Sequence, residues 1–132
     1  MVAESTGYDK EWLAEKRVLS YRFHDLSPTI IDRWADDLAA ELNAWPNGKT
    51  WRLMLDIRLH GGFISPYSLR RAREIASLRP DVPGRLAVLV SSKLAADIIT
   101  MTIRATNNTF RKRSVFNNEP IALRWLLDDK AR

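Results

Sequence analysis

Four times along this chain, a short apolar run precedes a longer segment whose apolar residues recur every three or four positions. Such runs read as strands and such segments as amphipathic helices. Regular alternation of the two confines a chain to a largely parallel sheet with helical crossovers. The first run, Val18–His24, alternates Leu19, Tyr21 and Phe23 with Val18, Ser20 and Arg22, the period of a strand with one wetter face. Trp12–Glu15 is expected to pair with it as a hairpin, with Lys16 and Arg17 near the turn. Ser27 and Pro28 open a helix bearing Ile31, Trp34, Leu38, Leu42 and Trp45 on one side, stopped by Pro46, Asn47 and Gly48. Trp51–Leu59 reads as the second strand. Ser65 and Pro66 repeat the cap-and-proline signal for a helix through Leu78, with Leu69, Ala72 and Ile75 inward. Leu86–Val90, apolar on both faces, suits a central parallel strand. A helix over Lys93–Ala105 follows, with Leu94, Ile98, Ile99, Thr102 and Ile103 on its packed side. Arg113–Phe116 is the last strand, and Asn118, Glu119 and Pro120 cap a final helix carrying Ile121, Ala122, Trp125 and Leu126. The expectation is one α/β domain over residues 11–130, after a flexible stretch at 1–10. Its sheet is mainly parallel, four- to five-stranded, in a βαβαβαβα order with an N-terminal hairpin.

Composition narrows the chemistry. The absence of cysteine excludes disulfide scaffolds, thiol catalysis and cysteine-based metal sites. No apolar run approaches the roughly 20 residues of a membrane span. The opening MVAESTGYDK has no apolar segment after a basic one, so no signal peptide is expected and a cytoplasmic location follows. Residues 1–45 hold nine acids against five bases, net −4, and residues 46–132 hold seven against sixteen, net +9, which sum to the chain's +5. The stretch from Arg58 to Arg113 has eleven Lys and Arg against three acids. It contains no aromatic-interleaved RNA motif, helix-turn-helix pattern or zinc finger, so it reads as a solvated basic face, with Arg70 and Glu74 as an i,i+4 pair, more readily than as a nucleic-acid surface.

In a parallel sheet, ligands meet the protein at the carboxyl ends of strands. That rim is expected to gather His24, Asp25, His60, Gly61, Gly62 and Ser65. Glycines ahead of a helix N-terminus let backbone N–H groups approach an anion, although loop glycines also serve simply to permit positive φ. The dinucleotide G-x-G-x-x-G and the P-loop signature are both absent. His24 and His60 could form an acid–base pair or, with Asp25, hold a metal. No G-x-S-x-G elbow supplies a nucleophile, so no catalytic residue, metal or cofactor is assigned. Asp56 interrupts an apolar strand and must cap backbone N–H groups or face a cleft. Of five tryptophans, Trp34, Trp45, Trp51 and Trp125 fall at core positions, while Trp12 sits among polar residues as a candidate interface anchor.

The strand end Leu55–Arg58, the step Phe63–Pro66 into a helix and the ending Val115–Leu126 resemble the STAS fold of anti-sigma-factor antagonists, and more closely their SpoIIAA-like relatives, over residues 10–128. In the antagonists the loop after this strand carries an Asp-Ser-Ser/Thr-Gly phosphorylation segment. Here the matching stretch is Ile64–Ser68, with Pro66 at the phosphoacceptor place and Ser65, Tyr67 and Ser68 as nearby hydroxyls. The resemblance implies a non-enzymatic bacterial module that docks a protein partner, such as an anti-sigma-type regulator, through the rim and the second helix, with Arg70 and Arg71 supplying charge. The alternative is a carrier of a small anionic or amphipathic ligand bound at helix N-termini. The tryptophan content leaves a homodimer open without indicating a face.

Overall fold

The computed structural model describes residues 7–60, 65–105 and 111–128. Tyr8–Leu13 (β1) and Val18–Phe23 (β2) form an antiparallel hairpin. The chain then runs through Pro28–Asn43 (α1), Trp51–Asp56 (β3), Pro66–Ala76 (α2), Gly84–Leu89 (β4), Lys93–Ala105 (α3), Arg111–Phe116 (β5) and Glu119–Leu127 (α4). A 3-10 turn, Arg58–His60, follows β3. The five strands lie side by side in chain order, β2 to β5 parallel. The α/β class, the mixed sheet and the N-terminal hairpin are thus as the sequence pattern indicates.

α1, α2 and α3 all lie on one face of the sheet. There Leu19, Tyr21, Phe23, Leu53 and Val88 pack against Ile31, Trp34, Leu38, Ile75 and Ile99. α4 covers the other face, with Ala122 and Leu126 on Val18, Met54, Ala87 and Leu89. Strand alternation divides the layers: Leu53 points into one and Met54 into the other.

The hairpin departs from its expected bounds. The strand begins at Tyr8, so Tyr8, Asp9 and Lys10 belong to the sheet and not to a flexible end, while Ala14 and Glu15 lie in the turn. Ala14, Glu15 and Lys16 all adopt left-handed φ, at 53°, 57° and 67°, and Arg17 N–H closes on Leu13 O at 3.1 Å. Asp9, Lys10 and Glu11 hide the strand's period, because its inner face is satisfied by aromatic and ionic contacts. Tyr8 meets Tyr21 edge-on at 5.5 Å, Lys10 Nζ lies 3.0 Å from Asp37 and 2.5 Å from Glu41 on α1, and Trp12 stacks on Trp45 at 5.9 Å. The second strand ends at Asp56 instead of Leu59, and β5 starts two residues early, at Arg111. Leu94 and Ile98 are not on the packed side of α3: they are 61% and 43% exposed, and Ala95 and Ile99 take the buried positions. Ile121 on α4 is likewise exposed.

Arginines close the helix C-termini, whose last carbonyls have no intrahelical donor. Arg79 donates to Leu42 O and Trp45 O at 3.0 Å beyond the end of α1. Arg111, 3% exposed, donates to Ala76 O (3.0 Å), Leu78 O (2.5 Å) and Arg79 O (2.9 Å) beyond α2, its guanidinium 4.9 Å over the Trp51 ring. Arg52 and Arg85, paired across β3 and β4, reach the end of α4 at Leu126 O (2.8 Å) and Trp125 O (2.7 Å). A positive group at a helix C-terminus also meets the favourable end of the helix dipole. Gly84 makes room for the Trp51 beneath Arg111: a Cβ there would lie 2.5 Å from the Trp51 ring.

Arg111→Met keeps the apolar stem but strands buried carbonyls, so it should destabilise the fold by about 2–4 kcal/mol, whereas exposed Lys112→Met should cost less than about 0.5 kcal/mol. Urea unfolding of both variants beside the parent chain checks this. Equal small losses would show that the Arg111 clasp carries little stability.

Candidate functional site

The rim at the strand carboxyl ends divides into two unlike regions. At its hairpin end, β2 and β3 are parallel neighbours, so the turns bearing His24 and His60 leave the sheet side by side. An open depression of about 550 Å³ there is lined by Asp9, Arg22, His24, Asp56, Arg58 and Leu59. His24 Nε2 lies 2.8 Å from Asp9 Oδ2, and the His24 backbone N–H donates to Gly7 O at 2.8 Å. Asp25 Oδ1 accepts from Ser27 N–H at 2.9 Å, so Asp25 shapes the turn into α1. The His60 side chain, Gly61 and Gly62 lie outside the described residues. No group of three or more His, Cys, Asp or Glu able to hold a metal occurs among the described residues.

Asp56 is the buried charge of this region, 3% exposed. Its Oδ1 accepts from Arg58 N–H (3.1 Å) and Arg58 Nε (3.0 Å), and its Oδ2 from the Arg58 guanidinium (2.8 Å) and Arg22 Nε (3.2 Å). Burial pushes the carboxyl up, but the bonds and charge from Arg58, with Arg22 behind them, outweigh it and hold the group below the usual carboxylate range. With both oxygens occupied, Asp56 is a clamp and not a base. It turns the chain out of β3 and ties β2 to β3.

α2 carries the other expected residues. Ser65 caps it, accepting from Ser68 N–H at 3.1 Å, and the two hydroxyls lie 3.0 Å apart with Ser68 buried. Arg70 does not pair with Glu74. It is exposed, its guanidinium 5.0 Å over the Tyr67 ring. Arg71 takes Glu74 instead, at 2.6 Å, and reaches Asp32 and Asp36 of α1 at 3.4 Å each. Its charge joins two helices and is not available to a partner. Arg58, Arg79, Arg85 and Arg111 are likewise bound to the chain's own carboxylates and carbonyls. The basic stretch is therefore divided: these five arginines serve internal structure, while Arg70, Arg73, Lys93, Arg104 and Lys112 are exposed.

At the far end of the rim, α3 and α4 leave β4 and β5 toward opposite faces and bound a crevice of about 450 Å³ with Ser91, Ser92, Lys93, Asn117 and Asn118. Ser92 and Asn118 cap the two helices, bonding Ala95 N–H at 3.1 Å and Ile121 N–H at 3.0 Å. Glu119 sits in the first turn of α4, so an anion at that N-terminus would meet a carboxylate, whereas α3 begins at Lys93 with no acid in its first turn.

Sequence reasoning missed an apolar space on the helical face. α2 is bound to α1 but does not pack closely on α3. Between α2 and α3 runs an apolar groove of about 130 Å³, floored by Leu55, Leu86 and Val88, walled by Leu69, Ala72, Ile99 and Ile103, with Arg73 and Arg113 as its cations. A smaller chamber of about 50 Å³ adjoins it under α1 and α2, sharing Leu55, Ala72, Leu86 and Arg113 and lined further by Trp34 and Trp51. Both tryptophans are 4% exposed, and neither buried indole N–H has an acceptor among the described residues. Buried donors are rarely left this way. Burial lowers the pKa of Arg113. The one sequence signal was the Arg111, Arg113, Val115 alternation, which puts two cations on the helical face of β5.

No protein-family model, curated protein or solved structure matches this chain.

Asp56→Asn should destabilise the fold at neutral pH by about 1–3 kcal/mol, because it leaves two arginines facing a neutral group. A carboxyl held below its unfolded value, near 3.9, contributes stability that is complete above that value and lost as pH falls through the lower folded value. The gap between parent and variant should therefore hold from pH 7 to about 5 and close below about 4. Urea midpoints across that range check this, and a gap that persists unchanged in acid would contradict it.

Proposed function

We propose that this chain is a non-enzymatic STAS-like binding module whose groove between α2 and α3 takes a small amphipathic anion. The observation that carries the reading is the pair of buried indole N–H groups, without acceptors among the described residues, on an apolar chamber that shares Leu55, Ala72, Leu86 and Arg113 with that groove. An apolar pocket with a few convergent polar groups is the common form of a small-molecule site. Here the aliphatic part of the ligand lies on Leu86, Val88, Ile99 and Ile103. Its carboxylate or phosphate faces Arg113, which lines both the groove and the chamber. The ligand class is the one the sequence raised as its alternative. The place proposed for it here is between two helix flanks, whereas the sequence pointed to helix N-termini; of those, α4 carries Glu119 in its first turn.

Docking of an anti-sigma-type regulator on α2 is a second reading, favoured by the exposed Arg70 on Tyr67. It loses Arg71, whose partners are internal.

Octanoate is the simplest probe. Calorimetric titration should give a Kd of about 10–100 µM, and octanol, without the charge, should bind at least about tenfold more weakly. Arg113→Gln should erase that difference, and Ala72→Phe, which fills the groove, should abolish binding of both. Equal binding of octanoate and octanol, or binding untouched by Ala72→Phe, would overturn the reading.

A further inference from the structure

α3 carries more apolar surface than the sheet can cover. Ala95 and Ile99 face inward, while Leu94, Ile98 and Met101 are 61%, 43% and 69% exposed. Spaced four and three residues apart, those three form one stripe along the helix. Asp97 and Arg104, seven residues apart and both exposed, run along a single flank of it. Among the described residues neither side chain has a hydrogen bond or ion pair.

We propose that this face of α3 is the contact between two copies of the chain. With the two helices antiparallel about a two-fold axis between Ile98 and Met101, each Met101 packs on Ile98 of the second copy. Residues on the same flank then face each other, so Asp97 meets Arg104 of the second copy, and symmetry repeats the pair. An acid in the first half of the helix and a base in the second is the arrangement that such self-pairing requires. A helix lying on an anionic membrane would instead border its apolar stripe with cations alone. Self-pairing along the β1 edge is opposed by charge: a register that keeps each face of the sheet continuous sets Lys10 against Lys10, or Glu11 against Glu11. A 13-residue helix is about 20 Å long. It buries less than the roughly 800 Å² per partner of a standard stable interface, so the dimer forms and dissociates with concentration.

Sedimentation equilibrium of the full chain from about 10 µM to about 1 mM should show reversible monomer–dimer exchange with a dissociation constant inside that range. Ile98→Glu should weaken association at least about tenfold, with Met101→Lys as a second variant should the first fold poorly by circular dichroism. Asp97→Arg and Arg104→Asp should each weaken it about fivefold or more, and the two together should restore it to within about threefold, because the second copy carries both changes. A chain that is monomeric throughout, a dimer indifferent to Ile98→Glu, or a double reversal as weak as either single one would overturn the proposal. A monomer that binds phosphatidylglycerol vesicles through Ile98 would overturn it in favour of a lipid surface.

Discussion

Neighbouring strands of a sheet lie about 4.8 Å apart, whereas packed helices need 8–10 Å. A chain that lays its strands down in order, with every crossover on one face, must reconcile those two spacings. Here α1 lies toward the hairpin, where Lys10 meets its Asp37 and Glu41 and Trp12 stacks on Trp45 just beyond its end, and α3 lies toward the opposite edge, against β5. β1 has no crossover helix of its own, and its role is to widen the platform under α1. The same fanning opens the apolar groove between α2 and α3 and leaves the outer stripe of α3 beyond the sheet. The candidate site and the candidate interface thus have one geometric cause.

Arginine gives the fanned layer its rigidity. Arg71 locks α1 to α2, and Arg79 and Arg111 hold the C-terminal ends of those helices at the edge where β3, β4 and β5 begin. Arg52 and Arg85 do the same for α4 on the opposite face. A guanidinium can serve several carbonyls in fixed geometry, and its stem packs on aromatic rings, as Arg111 does on Trp51. A strongly basic second half therefore need not announce a polyanionic partner.

The layout was legible where one period governs one environment. The apolar run at Leu86–Val90 marks β4, though the strand runs from Gly84 to Leu89 with Leu86 half-buried, and the single apolar side from Ile31 to Leu42 marks α1, although Trp45 lies beyond its end at Asn43. β1 was obscured because polar residues satisfy its inner face through partners far along the chain: Lys10 through Asp37 and Glu41, and Tyr8 through Tyr21. Leu94 and Ile98 share the periodicity of a packed side yet face outward, because periodicity reports a helix's apolar side, not whether a sheet lies under it. Asp56 was the reverse case, since a lone carboxylate in an apolar strand must find donors, and it found Arg58 and Arg22. No local signal marked Trp34, Trp51 and Arg113 as neighbours, because three different elements bring them together.

The most direct test of this account is methyl NMR of the chain with octanoate. Intermolecular nuclear Overhauser effects should connect the ligand's chain to the methyl groups of Leu86, Val88, Ile99 and Ile103, with the indole N–H resonances of Trp34 and Trp51 shifting as the site fills. Ligand contacts confined to Val90 and Ile121, in the crevice between the starts of α3 and α4, would contradict it.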